Sequence, residues 1–227
     1  MKLKYTVKIL IFSDTHLGTE FEEKKYDFLS RIISSVDHVI IAGDFYEGFV
    51  ISFDEFIKSR WQGLFPLLKS KETVYVYGNH DKDKEDERVK LFSDLTTRQY
   101  VFHTNGKTFV VEHGDRFKPL LRLLKLFGLE HSSYFTKFYE KTEKLLIRRI
   151  GPKIIQAIYK VFNEDIKEKA KEEFQNGEIL ICGHTHAQEA DPSCNFYDTG
   201  IIRHGLGQYI IIEDGQVMIK EEWYDSP

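Results

Sequence analysis

The chain has 227 residues and a formal net charge of −4, with 41% hydrophobic and 30% charged residues. This length suits one substantial hydrophobic core, so we expect a single domain over residues 1–227 with a helical insert at about 116–176. The acidic balance argues against a general polyanion binder, and no run of roughly 20 apolar residues is present to cross a bilayer. The charged beginning runs directly into the first strand pattern without a signal-peptide core, which predicts a cytoplasmic protein.

Short apolar runs rich in Ile, Val and Tyr alternate with helix-like stretches along the chain. The stretches Tyr26–Ser35 and Phe53–Leu68 are predicted to be helical. Continuous rather than alternating hydrophobicity in the apolar runs is typical of strands buried on both faces, which indicates an α/β layered fold. The predicted buried strands are Lys8–Phe12, His38–Ala42, Thr73–Tyr77 and Ile179–Cys182.

Two further segments have the pattern of β-hairpins. Asn105-Gly106 divides two β-rich runs within Tyr100–Glu112, and Asp214-Gly215 does the same within Gly207–Tyr224. Antiparallel pairs added to central parallel strands predict mixed sheets.

Polar residues that can bind metals follow the predicted strands. Because ligands bind beyond the carboxyl ends of strands in α/β sheets, turns at these ends bring distant residues to one place. Carboxylate, imidazole and amide ligands without thiolate suit two divalent cations; we predict Mn²⁺, with Fe, Zn²⁺, Ni²⁺ and Co²⁺ as alternatives. Asp44, with two oxygens, is suited to bridge both cations. The candidate ligands are Asp14, His16, Asp44, Asn79, His113, His184 and His186.

These motifs, in this order, resemble those of the calcineurin-like metallophosphoesterase family, namely D-x-H, G-D-x-x-D/E, G-N-H-D/E, a single His and G-H-x-H. The resemblance extends from Lys8 to about Gly200 and implies a four-layer α/β/β/α sandwich of mixed sheets with a helical cap insertion. It also implies a dinuclear enzyme that hydrolyses phosphoester bonds. The matching segments are Asp14 with His16, Gly43–Glu47, Gly78–Asp81, His113–Asp115 and Gly183–His186.

The resemblance also implies a role for each residue of the motifs. A hydroxide held by both metals attacks phosphorus, and His80 donates a proton to the leaving oxygen. Asp81, or another carboxylate, keeps His80 oriented and protonated; alternatively Asp81 caps a charged segment that begins near Lys82. Glu47 is expected to hold a ligand by a hydrogen bond. The implied ligands are Asp14, His16 and His186 for the first metal, Asn79, His113 and His184 for the second, and Asp44 as the bridge.

The insert between the motifs is basic and amphipathic. From Leu146 to Phe162 an apolar residue recurs at every fourth position, which predicts a helix that buries this stripe, with a break at Gly151-Pro152. Two interpretations remain open. The insert is either a helix pair packed on the core with Lys and Arg reaching into water, or a lid that binds an anionic, partly apolar substrate or contacts an anionic membrane.

The insert, Gly-Asp-x-x-Glu and His-Gly-Asp together also resemble the UDP-2,3-diacylglucosamine pyrophosphatases, although these typically have Arg at the position of His80. We therefore expect a phosphodiester or pyrophosphate substrate, with a nucleotide-linked lipid as one case. A phosphomonoesterase or a nuclease of the same family remains an alternative, and so does a non-catalytic scaffold, which intact motifs disfavour. The sequence does not indicate an oligomeric state. His38, His103, His131 and His204 are expected to be polar loop residues.

Overall fold

The computed structural model describes residues 7–81, 86–117, 133–174 and 176–227. Two mixed sheets and five α-helices form within these residues, together with short 3₁₀ segments. The helices are α1 (Glu23–Ser34), α2 (Phe53–Phe56), α3 (Phe65–Lys69), α4 (Ser133–Arg149) and α5 (Pro152–Glu173). The strands are β1 (Lys8–Phe12), β2 (His38–Ala42), β3 (Val74–Val76), β4 (Leu95–Thr97), β5 (Gln99–Thr104), β6 (Lys107–Glu112), β7 (Ile179–Cys182), β8 (Glu189–Asp191), β9 (Phe196–Asp198), β10 (Ile202–Arg203), β11 (Leu206–Glu213) and β12 (Gln216–Trp223).

Each sheet combines parallel and antiparallel strands: antiparallel strands lie on one side of the first sheet, where β4 is the parallel strand at the opposite edge, and at both edges of the second. The first sheet has the order β10-β11-β1-β2-β3-β4, with β12 paired to β11, and β1 to β4 are parallel. The second has the order β5-β6-β7-β9-β8, with β6, β7 and β9 parallel. The carboxyl ends of neighbouring parallel strands therefore carry successive loops at one edge of each sheet.

Three apolar layers hold the fold together. Alternate residues of the strands point to opposite faces, so each sheet buries one face against the other sheet and one against helices. Ile11, Ile40 and Val76 of the first sheet pack on Val111 and Ile181 of the second. The outer face of the first sheet packs against α1, and that of the second packs against α5. This arrangement confirms the predicted four-layer α/β/β/α sandwich of mixed sheets.

Most of the predicted strands are confirmed. β1, β2 and β7 have the predicted bounds, and β3 is one residue shorter at each end than the predicted Thr73–Tyr77. Both hairpins are also confirmed, because β5 pairs with β6 and β11 pairs with β12 around the predicted turns. Asn105 and Asp214 have positive φ angles of 48° and 51°, as a tight turn of this kind requires.

The single helix predicted over Phe53–Leu68 is wrong. The structure has α2, then a 3₁₀ segment at Arg60–Leu64, and then α3. The side chain of Ser59 accepts a hydrogen bond from the backbone N–H of Trp61, which starts a new turn. The Trp61 indole donates to the Gly18 carbonyl at 3.0 Å, so a tertiary contact also holds this turn.

The predicted break at Gly151-Pro152 is confirmed, but the stripe predicted to be buried is wrong at its centre, and Leu146 and Phe162 at its ends are only partly buried. Helix α4 ends at Arg149, before Gly151, whose φ is 102°. Ile150, Ile154 and Ile158 are 53%, 48% and 57% exposed. The face that α5 buries instead contains Asn163, Ile166, Lys167 and Ala170. The part of the insert from residue 118 to 132 lies outside the described residues, as do His131 and the segment at Lys82 that Asp81 was expected to cap. In the described part of the chain, no helix is long and apolar enough to span a membrane.

Candidate metal site

The loops at the carboxyl ends of five strands bring all seven candidate ligands to one place. Asp14 and His16 follow β1, Asp44 follows β2, and Asn79 follows β3 in the first sheet; His113 follows β6, and His184 and His186 follow β7 in the second. Asp14 and His186 are thus neighbours, although they lie 172 positions apart in the sequence. Among the described residues, three overlapping groups of side chains are close enough to hold a cation: Asp14, His16 and His186; Asp44, His113 and His184; and His16, Asp44 and His80.

The first group contains one carboxylate and two imidazoles. The Nε2 atom of His186 lies 3.3 Å from Oδ1 of Asp14, and Nε2 of His16 lies 3.6 Å from the same oxygen. Two atoms bound at about 2.1 Å to one cation, at angles of about 90° to 110°, are roughly 3.0 to 3.4 Å apart. The spacing in this group is therefore close to that of a metal site.

The second group has its atoms at similar distances. Nε2 of His113 lies 3.2 Å from Oδ2 of Asp44 and 3.2 Å from Oδ1 of Asn79. The rings of His113 and His184 are 4.8 Å apart between centroids. Oδ2 of Asp44 is also 3.9 Å from Nε2 of His16, which belongs to the first group. Asp44 thus lies between the two groups.

The two aspartates leave one oxygen each for a cation, because the other oxygen is bound to the backbone. Oδ2 of Asp14 accepts the His184 N–H, and Oδ1 of Asp44 accepts the His80 N–H, both at 2.8 Å. Within the described residues, Oδ1 of Asp14 and Nε2 of His16 are buried and have no hydrogen-bond partner. Buried polar atoms without a partner are costly unless a bound ion or water satisfies them. These residues therefore fit a divalent cation.

The backbone at the ligands is in an unusual conformation. Positive φ is uncommon outside glycine and costs on the order of 1 kcal/mol or more per residue, and such residues concentrate at functional sites. The close approach of the loops also requires glycine, since a Cβ at Gly78 would collide with Asp44 and one at Gly183 would collide with Ser13 and Asp14. The ligands with positive φ are Asp14 (51°), His16 (43°), Asp44 (51°), His184 (70°) and His186 (62°).

Three of the imidazoles are held by a hydrogen bond at Nδ1, which directs Nε2 toward the site. His113 Nδ1 bonds to the Ala42 carbonyl at 2.9 Å, and His186 Nδ1 bonds to the Glu143 carboxylate at 2.6 Å. His16 Nδ1 bonds to Oε2 of Glu47 at 2.8 Å. Such partners fix the orientation and tautomer of a metal-binding histidine.

Glu47 holds two histidines with its two oxygens. Besides His16, it accepts from Nδ1 of His80 at 2.7 Å. Nε2 of His80 lies 3.9 Å from Oδ2 of Asp44, and the His80 side chain is 21% exposed. His80 therefore borders the site and remains accessible from solvent. The geometric placement of Glu47 matches the hydrogen-bonding role expected for it.

The prediction that Asp81 orients His80 is wrong, because the carboxylate at the His80 ring is that of Glu47. Oδ2 of Asp81 instead accepts the backbone N–H groups of Asp44 at 2.8 Å and Gly78 at 2.7 Å. Asp81 thus ties the loop after β3 to the loop after β2. Burial, and then repulsion from Asp44, raises the pKa of Asp81 to about 6.

Buried carboxylates and imidazoles of the site stabilise each other's charges. Burial alone lowers the pKa of a histidine, but Asp44 outweighs it and raises the pKa of His113 to about 10. Glu143 and Asp14 likewise raise the pKa of His186 to about 9. A histidine must be neutral at the nitrogen that binds a cation, so metal binding would release any proton held there.

Several residues around the site were not identified from the sequence. Glu143, which bonds to His186, lies in the insert and has no motif of its own. His204 is buried rather than a polar loop residue, and its Nε2 lies 2.9 Å from Oε2 of Glu143. Ser13 bonds to Thr199 at 2.6 Å and also contacts Asp14. Only the position of Ser13 directly before Asp14 offered a signal.

Comparisons with known proteins agree with this geometry at the level of a family. The sequence matches the family model for calcineurin-like phosphoesterases over residues 7–188. No curated protein matches it. This family model describes the family as a whole and does not distinguish UDP-2,3-diacylglucosamine pyrophosphatases from other members. The narrower resemblance to those enzymes therefore stays a hypothesis.

Three solved structures are similar over nearly the whole chain. A predicted phosphoesterase from Streptococcus pneumoniae is 15% identical, with 97% of this chain and 91% of that chain covered and a TM-score of 0.47. Yfce, a phosphoesterase from E. coli, is 12% identical, with 96% and 100% covered and a TM-score of 0.45. Vps29 complexed with zinc, from Entamoeba histolytica, is 14% identical, with 96% and 100% covered and a TM-score of 0.46. At such identities and TM-scores these structures do not indicate what this chain binds.

Proposed function

This chain belongs to the calcineurin-like phosphoesterase family, and we propose that it hydrolyses a phosphodiester or pyrophosphate bond with two divalent cations bound. The observation that carries the proposal is the position of Asp44, whose Oδ2 lies 3.2 Å from Nε2 of His113 and 3.9 Å from Nε2 of His16. One carboxylate between two sets of ligands is suited to a site for two cations.

Each group of side chains has a part in this proposal. Asp14, His16 and His186 would hold one cation, Asn79, His113 and His184 would hold the other, and Asp44 would serve both. Two cations bound there would supply Lewis acidity and lower the pKa of a water molecule toward neutrality. We propose Mn²⁺, because carboxylate, amide and imidazole ligands without thiolate suit it, although Zn²⁺, Fe, Co²⁺ and Ni²⁺ fit the same donors.

His80 is proposed to protonate the leaving oxygen. Its Nδ1 is bound to Glu47, so Nε2 is the nitrogen that can donate to a substrate, and this atom lies 3.9 Å from Oδ2 of Asp44. Burial lowers the pKa of His80, but the Asp44 and Glu47 carboxylates outweigh it and raise that pKa, which favours the protonated acid. Asp81 is proposed to act only on the loop backbone, without contact to the substrate.

The experiment compares bis-p-nitrophenyl phosphate with p-nitrophenyl phosphate in metal-stripped protein to which Mn²⁺ is added back. We expect turnover that depends on Mn²⁺ and is faster for the diester. His80→Ala should bind the metal as wild type does and lose roughly 10²-fold to 10⁴-fold on a diester with a poor leaving group, such as diphenyl phosphate. His103→Ala, which removes an exposed histidine on β5, is the control and should behave as wild type.

Each other outcome contradicts a defined part of the proposal. A preference for the monoester would indicate a phosphomonoesterase. An equal loss on activated and poor leaving groups in His80→Ala would remove the acid role. A protein that binds no divalent cation and hydrolyses neither ester would be a non-catalytic scaffold.

We propose further that the substrate has an apolar part, such as an acyl chain on a nucleoside diphosphate. Tyr159 of α5 lies 6.4 Å from the His186 ring between centroids, so α5 borders the site. The neighbouring Ile154 and Ile158 are exposed, and Arg149 and Lys153 nearby are exposed cations. An exposed apolar strip with cationic neighbours, on a helix that borders the site through Tyr159, favours an anionic, partly apolar substrate or an anionic membrane surface.

Acylated and deacylated sugar nucleotides separate this substrate class from others. Replacing both Ile154 and Ile158 by Glu should lower kcat/KM for the acylated substrate by about tenfold or more, because apolar contact is lost. Hydrolysis of the deacylated substrate and of bis-p-nitrophenyl phosphate should not change. Leu91→Glu, at an exposed leucine outside the insert, is the control. Equal kinetics for both substrates in the wild type would contradict the proposal.

A further inference from the structure

A glutamate of the helical insert reaches the candidate metal site. Glu143 lies on α4 and is 1% exposed. Its Oε1 accepts from Nδ1 of His186 at 2.6 Å, and its Oε2 lies 2.9 Å from Nε2 of His204 and 3.4 Å from a guanidinium nitrogen of Arg203. One buried carboxylate thus joins the insert, the loop after β7 and the turn between β10 and β11.

We propose that Glu143 is a positioning residue that aims His186 at the first cation, so that the insert completes the metal site instead of merely covering it. This inference rests on the proposed function. With Nδ1 donating to Glu143, neutral His186 has its lone pair on Nε2, the atom that lies 3.3 Å from Oδ1 of Asp14. Without that acceptor the ring is free to turn or to adopt the other tautomer.

The position of α4 is fixed by apolar packing as well as by this carboxylate. Ile147, one turn after Glu143 on the same face, is buried against Ile201 and Leu206. Both residues pack on the segment from Ile201 to Leu206, which also contains Arg203 and His204. Because α4 is held at two successive turns, the Glu143 carboxylate stays in a fixed position, which it must do in order to orient His186.

The loop that carries His186 is held through its backbone and through Thr185, whereas Glu143 holds the imidazole ring itself. The φ of His186 is 62°, a conformation that costs energy for a residue with a side chain. The loop also depends on α5, since Asn163 donates to the Ala187 carbonyl at 3.0 Å. Both helices of the insert therefore hold the segment that carries His186. Removal of the insert would leave this ligand without its hydrogen-bond partner.

The test compares Glu143→Leu, Glu143→Gln and Glu140→Leu with wild type. Glu140 lies one turn before Glu143 and pairs with Arg203 at 2.9 Å, so its replacement removes an ion pair of the same helix without contact to His186. Affinity for Mn²⁺ is measured by calorimetry, and the ligand field is measured from the visible absorption of the Co²⁺-loaded protein. Circular dichroism shows whether each variant folds.

We expect Glu143→Leu to weaken one of the two Mn²⁺ affinities by roughly 10-fold to 100-fold and to change the Co²⁺ spectrum. Glu143→Gln keeps an acceptor but loses the charge, and should weaken the same affinity by roughly 5-fold to 10-fold. Glu140→Leu should match wild type in affinity and spectrum. If Glu143→Leu does not fold, Glu143→Gln decides the question by the same two measurements.

The possible failures are distinguishable. If wild type binds two cations and a folded Glu143 variant binds them equally well with an unchanged Co²⁺ spectrum, the positioning role is wrong and the proposed function stands. If Glu140→Leu weakens binding as much as Glu143→Leu does, the effect belongs to the helix as a whole, which also overturns the proposal. If wild type binds no divalent cation, the proposed function fails, and the role of Glu143 fails with it.

Discussion

Replacing Glu47 by glutamine is expected to impair acid catalysis more than metal binding, which should weaken by no more than the roughly 5-fold to 10-fold expected for Glu143→Gln. The Glu47 carboxylate is 4% exposed and bonds to His16 at 2.8 Å and His80 at 2.7 Å. Glutamine has the same shape, but its one oxygen can accept from only one ring, and its amide N–H₂ then faces the other. One hydrogen bond to a charged group is lost, which costs about 1.5–3 kcal/mol, or roughly 10-fold to 150-fold in rate.

The hydrogen bond that is lost is expected to be the one to His80. The His16 side chain is buried and has Asp14 and Asp44 as further neighbours, whereas the His80 side chain is 21% exposed and can turn toward water. Hydrolysis of diphenyl phosphate should therefore slow by the full factor, because phenolate needs a proton on leaving. Bis-p-nitrophenyl phosphate, with a better leaving group, should change little.

The assay is a double-mutant cycle of Glu47→Gln and His80→Ala on both diesters, together with Mn²⁺ affinities. In the His80→Ala background, Glu47→Gln should slow hydrolysis by less than about a further twofold, since His80, through which Glu47 acts, is already absent. Glu72→Gln, which alters an exposed carboxylate 3.4 Å from His38, is the control. Full additivity in the cycle, or equal losses on both diesters, would refute the reasoning.

Three other changes test the site and its support. Asp44→Asn should abolish turnover and weaken the binding of both cations, as measured by calorimetry, because one carboxylate serves both. Near-normal turnover with two bound cations would contradict the bridging role of Asp44. Gly183→Ala should lower metal affinity, measured in the same way, since the added Cβ collides with Asp14. Burial lowers the pKa of Lys25 from 10.5 to about 8, so the unfolded state binds more protons at Lys25 between these values, and this residue should contribute a rise of roughly 3 kcal/mol in the free energy of unfolding over that range. The difference in the free energy of unfolding between wild type and Lys25→Met, measured by urea titrations, should therefore increase from pH 8 to pH 10, and a difference that does not change would contradict the assignment to Lys25.

The strands and the metal motifs were predictable because their signals are local. A run such as Val39–Ala42, within β2, is apolar at every position, which indicates burial on both faces without knowledge of its neighbours. The ligands follow such runs directly, and in a parallel sheet this position alone places Asp14 and Asp44 side by side. The orientation of His80 by Glu47 was not predictable in this way, since the nearer carboxylate in sequence, Asp81, faces the backbone instead.

The helical insert was harder to predict because its buried face is partly polar. Lys167 is buried on α5 with ion pairs to Glu189 at 2.9 Å and Asp191 at 3.0 Å, and Asn163 bonds to the same Glu189 at 3.0 Å. Apolar periodicity assigns such residues to solvent and assigns exposed residues such as Ile154 to the core. Burial of the Lys167 ammonium group is favourable only because β8, which is distant in sequence, contributes its acidic partners.

The interlocked loops explain how the site can exist before a cation binds. The Asp14 carboxylate holds the backbone of His184 across the two sheets, and the Asp44 carboxylate holds that of His80 within one sheet. Asp81 in turn holds the amide of Asp44. Each carboxylate thus restrains a loop with one oxygen, so the strained ligand conformations are maintained by hydrogen bonds rather than by the metal. Because a histidine must be neutral at the nitrogen that binds a cation, the affinity of the site for cations should fall as the pH is lowered.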